Sequence, residues 1–421
     1  MRALRTTIIV LAITAGIYTG VDYLVGIWHR HHLDMSFLQG SPAYRGQPYA
    51  TEDFIREKAL EPGQWLKIPG ESLLAPTTYD GTFFHVDELP PTGIAYRRTI
   101  NPPADARPER VVLLVGGSTV YGPEVPDELT IASQLSRYLN ARDPGHRYVV
   151  YNAGVNAADS TQDRDRLAYE LKRGLRPAVV VVADGQLDIV YGIYQGKPGQ
   201  PAPLLESRSG FMGFVHHYLP TNIAQMVWLW FHDRAVAQRR AEQAKAAAAK
   251  PPAAATANPP AVAAKPVAAA SPPVAAAATP PVVAPVVPSR PVDRQTAEVY
   301  RRNHLAMGDM ATKSGAAMLS VLPPSPFSTQ YDHPTADLRV TLSDTQAQLP
   351  GLVAVEREGQ AALVGVMQEL AGQGRHTLDL SDAFKAKTND VFVDLGHLNG
   401  VGNGVIAEKI GQAVLEILPP S

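Results

Sequence analysis

The chain contains no cysteine. That excludes disulfides, thiolate zinc sites, a cysteine nucleophile and a lipidated N-terminal cysteine, while leaving the compartment open. An excess of either charge is missing too: 38 Lys and Arg stand against 40 Asp and Glu, a formal net charge of -2. Such a balance gives no overall pull toward nucleic acid or anionic lipid. What remains is an ordinary globular composition, 45% hydrophobic over 421 residues, enough for a sizeable core and for two or three segments. The 37 prolines are the outlier, and they are unevenly placed.

Residues 6–28, TTIIVLAITAGIYTGVDYLVGIW, form an apolar run long enough to span a bilayer as a helix. Arg2 and Arg5 precede it, which by the positive-inside bias leaves the rest of the chain outside the cytoplasm. Asp22 falls in the outer half of the run, and Tyr23 and Trp28 suit an interfacial belt. An uncleaved signal-anchor is the leading expectation, with a cleaved signal peptide or a buried helix as rivals. The HRHH run at 29–32 reads as a polar flank, a metal site being its rival. Residues 241–291 are almost wholly Ala, Pro and Val, unable to bury a core or hold a helix, and read as a disordered or polyproline-like insertion. The aromatic-rich stretch 211–231 reads as a helix packed on the domain, with a lid or membrane contact as alternatives. The expected organisation is an anchor with its flanks over 1–32 and an extension packed on the domain over 33–95. A catalytic domain over 96–240 and 294–421 is then interrupted by a linker over 241–293.

The remaining blocks alternate strand and helix. Continuous apolar runs at 110–116 and 178–183 (AVVVVA) predict strands buried on both faces, and further strands are predicted at 148–152, 317–322 and 376–380. Helices are predicted over 129–140, 161–175, 296–314, 353–371 and 402–417. Such alternation implies a three-layer α/β/α sandwich with a mostly parallel sheet, whose sites form at the strands' carboxyl ends.

Ser118 follows the first buried run directly, in VVLLVGGSTVYG. Small residues before it permit a sharp turn, and the following helix start offers free backbone N–H groups. Gly117 and Gly122 have phosphate-loop spacing, but Pro123 stands where such a loop needs Lys. A plain glycine turn with a capping serine is the other rival. Near the C-terminus, FVDLGHLNGVGNG places Asp394 three residues before His397. A serine hydroxyl needs a base to take its proton, and a carboxylate can orient that base. Alone, the pair reads equally as a metal half-site or a surface cap.

Together GGSTVYG, YNAGVNAADS, RPAVVVVADGQLDIVYG and DLGHLNGVGNGVIAEKI resemble, in order, the four blocks of the SGNH (GDSL-like) hydrolase superfamily. The likeness spans roughly 96–418 without the insertion. It implies a flavodoxin-like sheet, Ser118 as nucleophile, and Asp394 and His397 completing a triad. It also implies an oxyanion hole from the Ser118 and Gly154 N–H groups. In the third block the resemblance would place an asparagine donor where this chain has Leu187; losing one such donor costs about 10²–10³ in rate. Gln186, or Asn156 from the second block, are the candidate substitutes.

The implied activity is ester hydrolysis by acyl transfer to Ser118, with no metal or organic cofactor required and no nucleic-acid partner. The expected substrate is an acyl ester, with O-acyl groups of an envelope or secreted polysaccharide as the expected class. Location is expected at the membrane, single-pass, with the domain on the periplasmic or extracellular side. The alternatives are O-acyl transfer to an extracellular glycan and a non-catalytic component of an envelope assembly.

Overall fold

A computed structural model of the chain describes residues 21, 44, 47–59, 65–68, 73–89, 91–194, 291–327, 351–385, 391–394 and 396–418. The apolar run 6–28 (Val21 apart), the stretch 211–231 and residues 241–290 lie outside the described residues. Among the described residues no helix is long and apolar enough to cross a membrane. All of them except Val21 belong to one compact unit, Leu33–Ser209 with Pro285–Ser421.

Helix α1 (Glu52–Ala59) precedes strands β1 (Trp65–Lys67), β2 (Leu74–Pro76), β3 (Tyr79–Asp80), β4 (His85–Leu89) and β5 (Ile94–Arg97). The alternating part begins with β6 (Glu109–Gly116), the one-turn α2 (Ser118–Tyr121), α3 (Ile131–Arg142), β7 (Arg147–Asn152), α4 (Ser160–Lys172) and β8 (Val179–Ala183). It resumes with α5 (Pro291–Lys313), β9 (Ala317–Leu322), α6 (Leu352–Gly372), β10 (His376–Asp379) and α7 (Gly400–Ile417).

The layers follow from the strand period of two. Val112 and Leu114 of β6 enter one core with Ile131 and Leu135 of α3 and Ile406 and Ile410 of α7. Leu113 and Val115 enter the opposite core with Leu167 of α4 and Met307 of α5. Val179–Val182 of β8 divide between the two in the same way. Leu363 and Met367 of α6 close a third cluster over Tyr300 and Leu322. The fold is therefore the three-layer α/β/α sandwich.

The sheet has eight strands in the order β10-β9-β8-β6-β7-β5-β4-β3. Strands β10, β9, β8, β6 and β7 pair in parallel. Ranked by appearance they run 2-1-3-4-5 from β7, the flavodoxin-like order, with its topological switch between β6 and β8. The finding beyond expectation is an antiparallel edge, since β5, β4 and β3 from the N-terminal segment continue the same sheet.

Three boundaries moved for local reasons. Helix α3 begins at Ile131, two residues late, because Asp127–Leu129 forms a separate 3-10 turn and the Thr130 side chain caps the helix by accepting from the Ser133 N–H. Helix α4 starts from an Asp159–Gln162 capping box and stops short of Gly174, whose φ is +101°. Helix α5 begins at Pro291, inside the segment assigned to the linker, and proline is well suited to a first helical position.

A small satellite core joins the N-terminal segment to the loop after α2. Tyr44, Tyr49, Phe54, Ile55 and Phe84 bury with Val125, and the Phe54 ring meets those of Tyr44, Tyr49, Phe83 and Phe84. Beside it Arg97, fully buried, pairs with Asp127 at 2.7 Å and lies over the Phe84 ring.

Candidate active site

Strand β6 ends where its backbone nearly touches β8. A Cβ on Gly116 would lie 2.2 Å from the Ala183 carbonyl oxygen, so glycine is required there. The chain then turns through Gly117, the cap of α2, and Ser118 becomes the first residue of that turn of helix. Its hydroxyl stands half-buried at the switch between β6 and β8.

The opposing loop is built by its own backbone. Phe392 and Leu398 form a bridge, the Val393 N–H donates to the His397 carbonyl at 2.8 Å, and Asn399 caps α7 by accepting from Val401 and Gly402. Within this loop Asp394 Oδ1 accepts from the Gly396 and His397 N–H groups at 2.9 and 2.8 Å. Its Oδ2 lies 2.7 Å from His397 Nδ1, and His397 Nε2 lies 2.7 Å from Ser118 Oγ. Thr119 Oγ1 donates to the Gly396 carbonyl at 3.0 Å, which ties the loop to α2. The structure thus brings Ser118, His397 and Asp394 into one hydrogen-bonded chain across a separation of 279 residues.

The charges are arranged to keep the imidazole basic. Burial pulls His397 toward neutrality, but the charge and hydrogen bond of Asp394 outweigh it, Glu124 adds to them and Lys58 opposes, so its pKa is raised above 6.5. Burial likewise pushes Asp394 up, yet His397 and the two backbone N–H donors hold it well below the usual carboxylate range. An ionised Asp394 assigns the Nδ1 proton to its own side and leaves Nε2 free to accept from Ser118.

Ser118 and His397 open on a cavity of about 300 Å³. Leu187, Val190, Pro323 and Pro324 give it an apolar wall, while Thr119, Asp184, Gln186 and Asp394 are its other polar side chains. Leu187 lies over the Ser118 turn, its Cδ1 3.7 Å from where a Cβ on Gly117 would stand. The Gln186 amide is packed against Gly396, where a Cβ would fall 2.3 Å from Gln186 Oε1.

Gly154, expected at the oxyanion hole, sits in a close backbone contact. Its N–H donates to Asn152 Oδ1 at 3.1 Å, and its Cα packs so closely on the Tyr121 backbone that a Cβ would come within 2.3 Å of that nitrogen. The absence of a side chain at Gly154 permits that approach, and neither it nor Asn156 lines the cavity. The wall from that loop is Ala158, preceded by Ala157 at φ +62°, among the described residues the one non-glycine with positive φ. An alanine in that conformation carries no signal in sequence, though such strain gathers at functional sites.

Two further groups went unnoticed in the sequence. Behind the cavity floor, Asp184 pairs with His304 at 2.9 Å and Asp188 accepts from the Ser160 N–H and hydroxyl. With Asp163 these carboxyls are buried together, and desolvation plus mutual repulsion push Asp163 and Asp188 far upward. On the other side, Glu124, Asp394 and His397 each offer a ligand atom within 4.8 Å of the others, a spacing that could hold a metal. Both His397 nitrogens are already engaged, however, and Lys58 Nζ lies 2.7 Å from Glu124, so a cationic group already neutralises the trio.

No protein-family model and no curated protein matches the sequence. Among solved structures, the chain is similar to a lipase/acylhydrolase from Enterococcus faecalis, 14% identical, with a TM-score of 0.38 over 74% of this chain and 98% of that one. A member of the lipolytic G-D-S-L family from Veillonella parvula is 11% identical, TM-score 0.36, over 73% and 98%. An acetyl xylan esterase, AlAXEase, is 12% identical, TM-score 0.37, over 72% and 100%. At such scores the chemistry must be read from this chain's own residues.

Proposed function

We propose that the protein is an SGNH-type serine esterase. The observation that carries this reading is the unbroken Ser118–His397–Asp394 hydrogen-bonded chain at the mouth of a partly apolar cavity. Ser118 Oγ attacks the ester carbonyl carbon as its proton passes to His397 Nε2. The tetrahedral intermediate collapses, the alcohol leaves with that proton, and the acyl group stays on Ser118. Water then repeats the sequence and releases the acid. The Ser118 N–H is the proposed oxyanion donor from the nucleophile turn, with Gln186 as the nearest polar side chain beside Leu187.

The apolar wall suits an acyl group. The run 6–28 supports a single-pass anchor holding the domain on the periplasmic or extracellular face, which makes O-acyl esters of envelope or secreted glycans the proposed substrates. Leu187, set over the nucleophile turn, favours a second reading as a non-catalytic component of an envelope assembly. Fluorophosphonate labelling of the full-length chain separates the two. Labelling that maps to Ser118 and disappears in Ser118→Ala and His397→Ala supports the esterase. A folded chain that takes up no probe favours the second reading.

A further inference from the structure

The esterase reading assigns Asp394 to orient His397, yet a second carboxylate stands against the same imidazole without a part in it. Glu124, in the loop after α2, is 6% exposed. One of its oxygens lies within 4.8 Å of both an Asp394 carboxylate oxygen and a His397 ring nitrogen. A buried carboxylate so close to another is costly unless compensated. Its compensation comes from the N-terminal segment: Lys58 Nζ of α1 is 2.7 Å from Glu124 Oε2, and the Tyr44 hydroxyl donates to the same oxygen. Tyr44 belongs to the aromatic cluster around Phe54, Lys58 lies one turn along α1 from Phe54, and Tyr49 of that cluster accepts from the Gly400 N–H at the start of α7.

We propose that Glu124 and Lys58 form an opposed pair that sets the proton affinity of His397, Glu124 raising it and Lys58 restraining it. Both are positioning residues, acting through His397 and not on substrate. The charged groups facing His397 are Asp394 from its own loop, Glu124 from the loop after α2 and Lys58 from α1. With a neutral imidazole they sum to one negative charge, and protonation of His397 makes the site neutral. Without Lys58 the site would hold two negative charges against one imidazole, giving an over-basic histidine slow to return its proton to the leaving alcohol. Without Glu124 the lysine would oppose imidazolium formation in the attack step. The inference deepens the esterase reading, because a triad histidine is where such tuning matters.

The direct test is the titration of His397 in the full-length chain carrying histidine labelled at ring carbon Cε1, its resonance assigned by loss in His397→Asn. Glu124→Gln should lower the His397 midpoint and Lys58→Met should raise it, each by about 0.5–2 pH units at contact distances like these. Lys58→Arg should restore the wild-type midpoint. A pair that merely docks the N-terminal segment predicts lowered stability with the midpoint unmoved; that result, or shifts of the same sign in both variants, overturns the proposal. Should Glu124→Gln fail to fold, Lys58→Met decides alone, since its side chain is at the partly exposed edge of the pair. The titration needs no turnover. Opposite shifts in a chain that hydrolyses nothing would sink the esterase reading and keep the pair, and turnover with unmoved midpoints would do the reverse.

Discussion

Leu187 stands where the resemblance would place an asparagine donor. In the block DGQLD it lines the cavity beside Gln186 and above the Ser118 turn, and it can donate nothing to an oxyanion. Leu187→Asn should therefore raise turnover of a small acyl ester, by up to about 10²–10³-fold if the new amide reaches the oxyanion. A steady-state assay beside wild type measures it, and an unchanged or lower rate would mean that the side chain at 187 does not face the reacting carbonyl. The pH dependence belongs to His397. Its pKa is raised above 6.5, and only the neutral form can take the Ser118 proton. The rate constant kcat/KM should fall as pH drops through that raised value, so the acid limb should lie above the midpoint of a free histidine; a profile over pH 5–9 locates it. The Asp394–His397 contact is local and so was legible in sequence, whereas its meeting with Ser118 spans 279 residues and was expected only from the resemblance. The bond from the Gly154 N–H to the Asn152 side chain is a contact that the string YNAG does not announce. Glu124, Lys58 and Tyr44 meet only through the tertiary fold, and nothing in their spacing links them.

Among the elements, the two central parallel strands, β6 and β8, were legible for one physical reason. A strand buried on both faces must be apolar at every position, and VVLLVG and VVVVA are. Strands β3, β4 and β5 are two to five residues long, and their burial follows no common pattern, β5 being buried throughout and β3 at neither residue. They join the parallel part through one aligned pair, Arg97 with Asn152. Pattern alone could not reveal that edge. Helix α6 carries a different departure from pattern. Glu356 is 1% exposed, has one carboxylate oxygen without a hydrogen-bond partner, and is pushed by burial from 4.5 to about 8. A pKa raised on folding means that the folded state takes up a proton the unfolded state releases. Stability from this group is full below about pH 4.5 and is lost as pH rises through 8. Glu356→Gln should flatten that slope and make the protein more stable than wild type at pH 8.5, by an amount on the order of a few kcal/mol. Denaturation midpoints of both proteins at pH 5 and 8.5 test it; parallel curves would show that Glu356 is ionised in the fold.

For the molecule as a whole, three separated stretches of sequence make one unit, and each contributes to the site. The middle stretch brings Ser118 and the C-terminal one His397, which the repeated strand–helix pattern on either side of the Ala/Pro-rich segment made legible. The N-terminal stretch looked like a mere extension, yet it supplies a sheet edge, an aromatic cluster and the lysine beside Glu124. Phe54 is the centre of that cluster, fully buried and in ring contact with Tyr44, Tyr49, Phe83 and Phe84. Phe54→Ala should cost about 3–5 kcal/mol, because so many rings cannot collapse into the space left. It should also act at a distance. Lys58 lies one helical turn from Phe54 on α1, so loosening the cluster withdraws its charge from Glu124 and leaves two carboxylates facing His397. In the fraction that stays folded, the acid limb of kcat/KM should move upward, in the same direction as for Lys58→Met. Urea unfolding and a pH profile on one preparation read both effects. Lost stability with an unmoved acid limb would make the segment a dock for the sheet edge alone; loss of stability together with the upward shift would make it part of the working site.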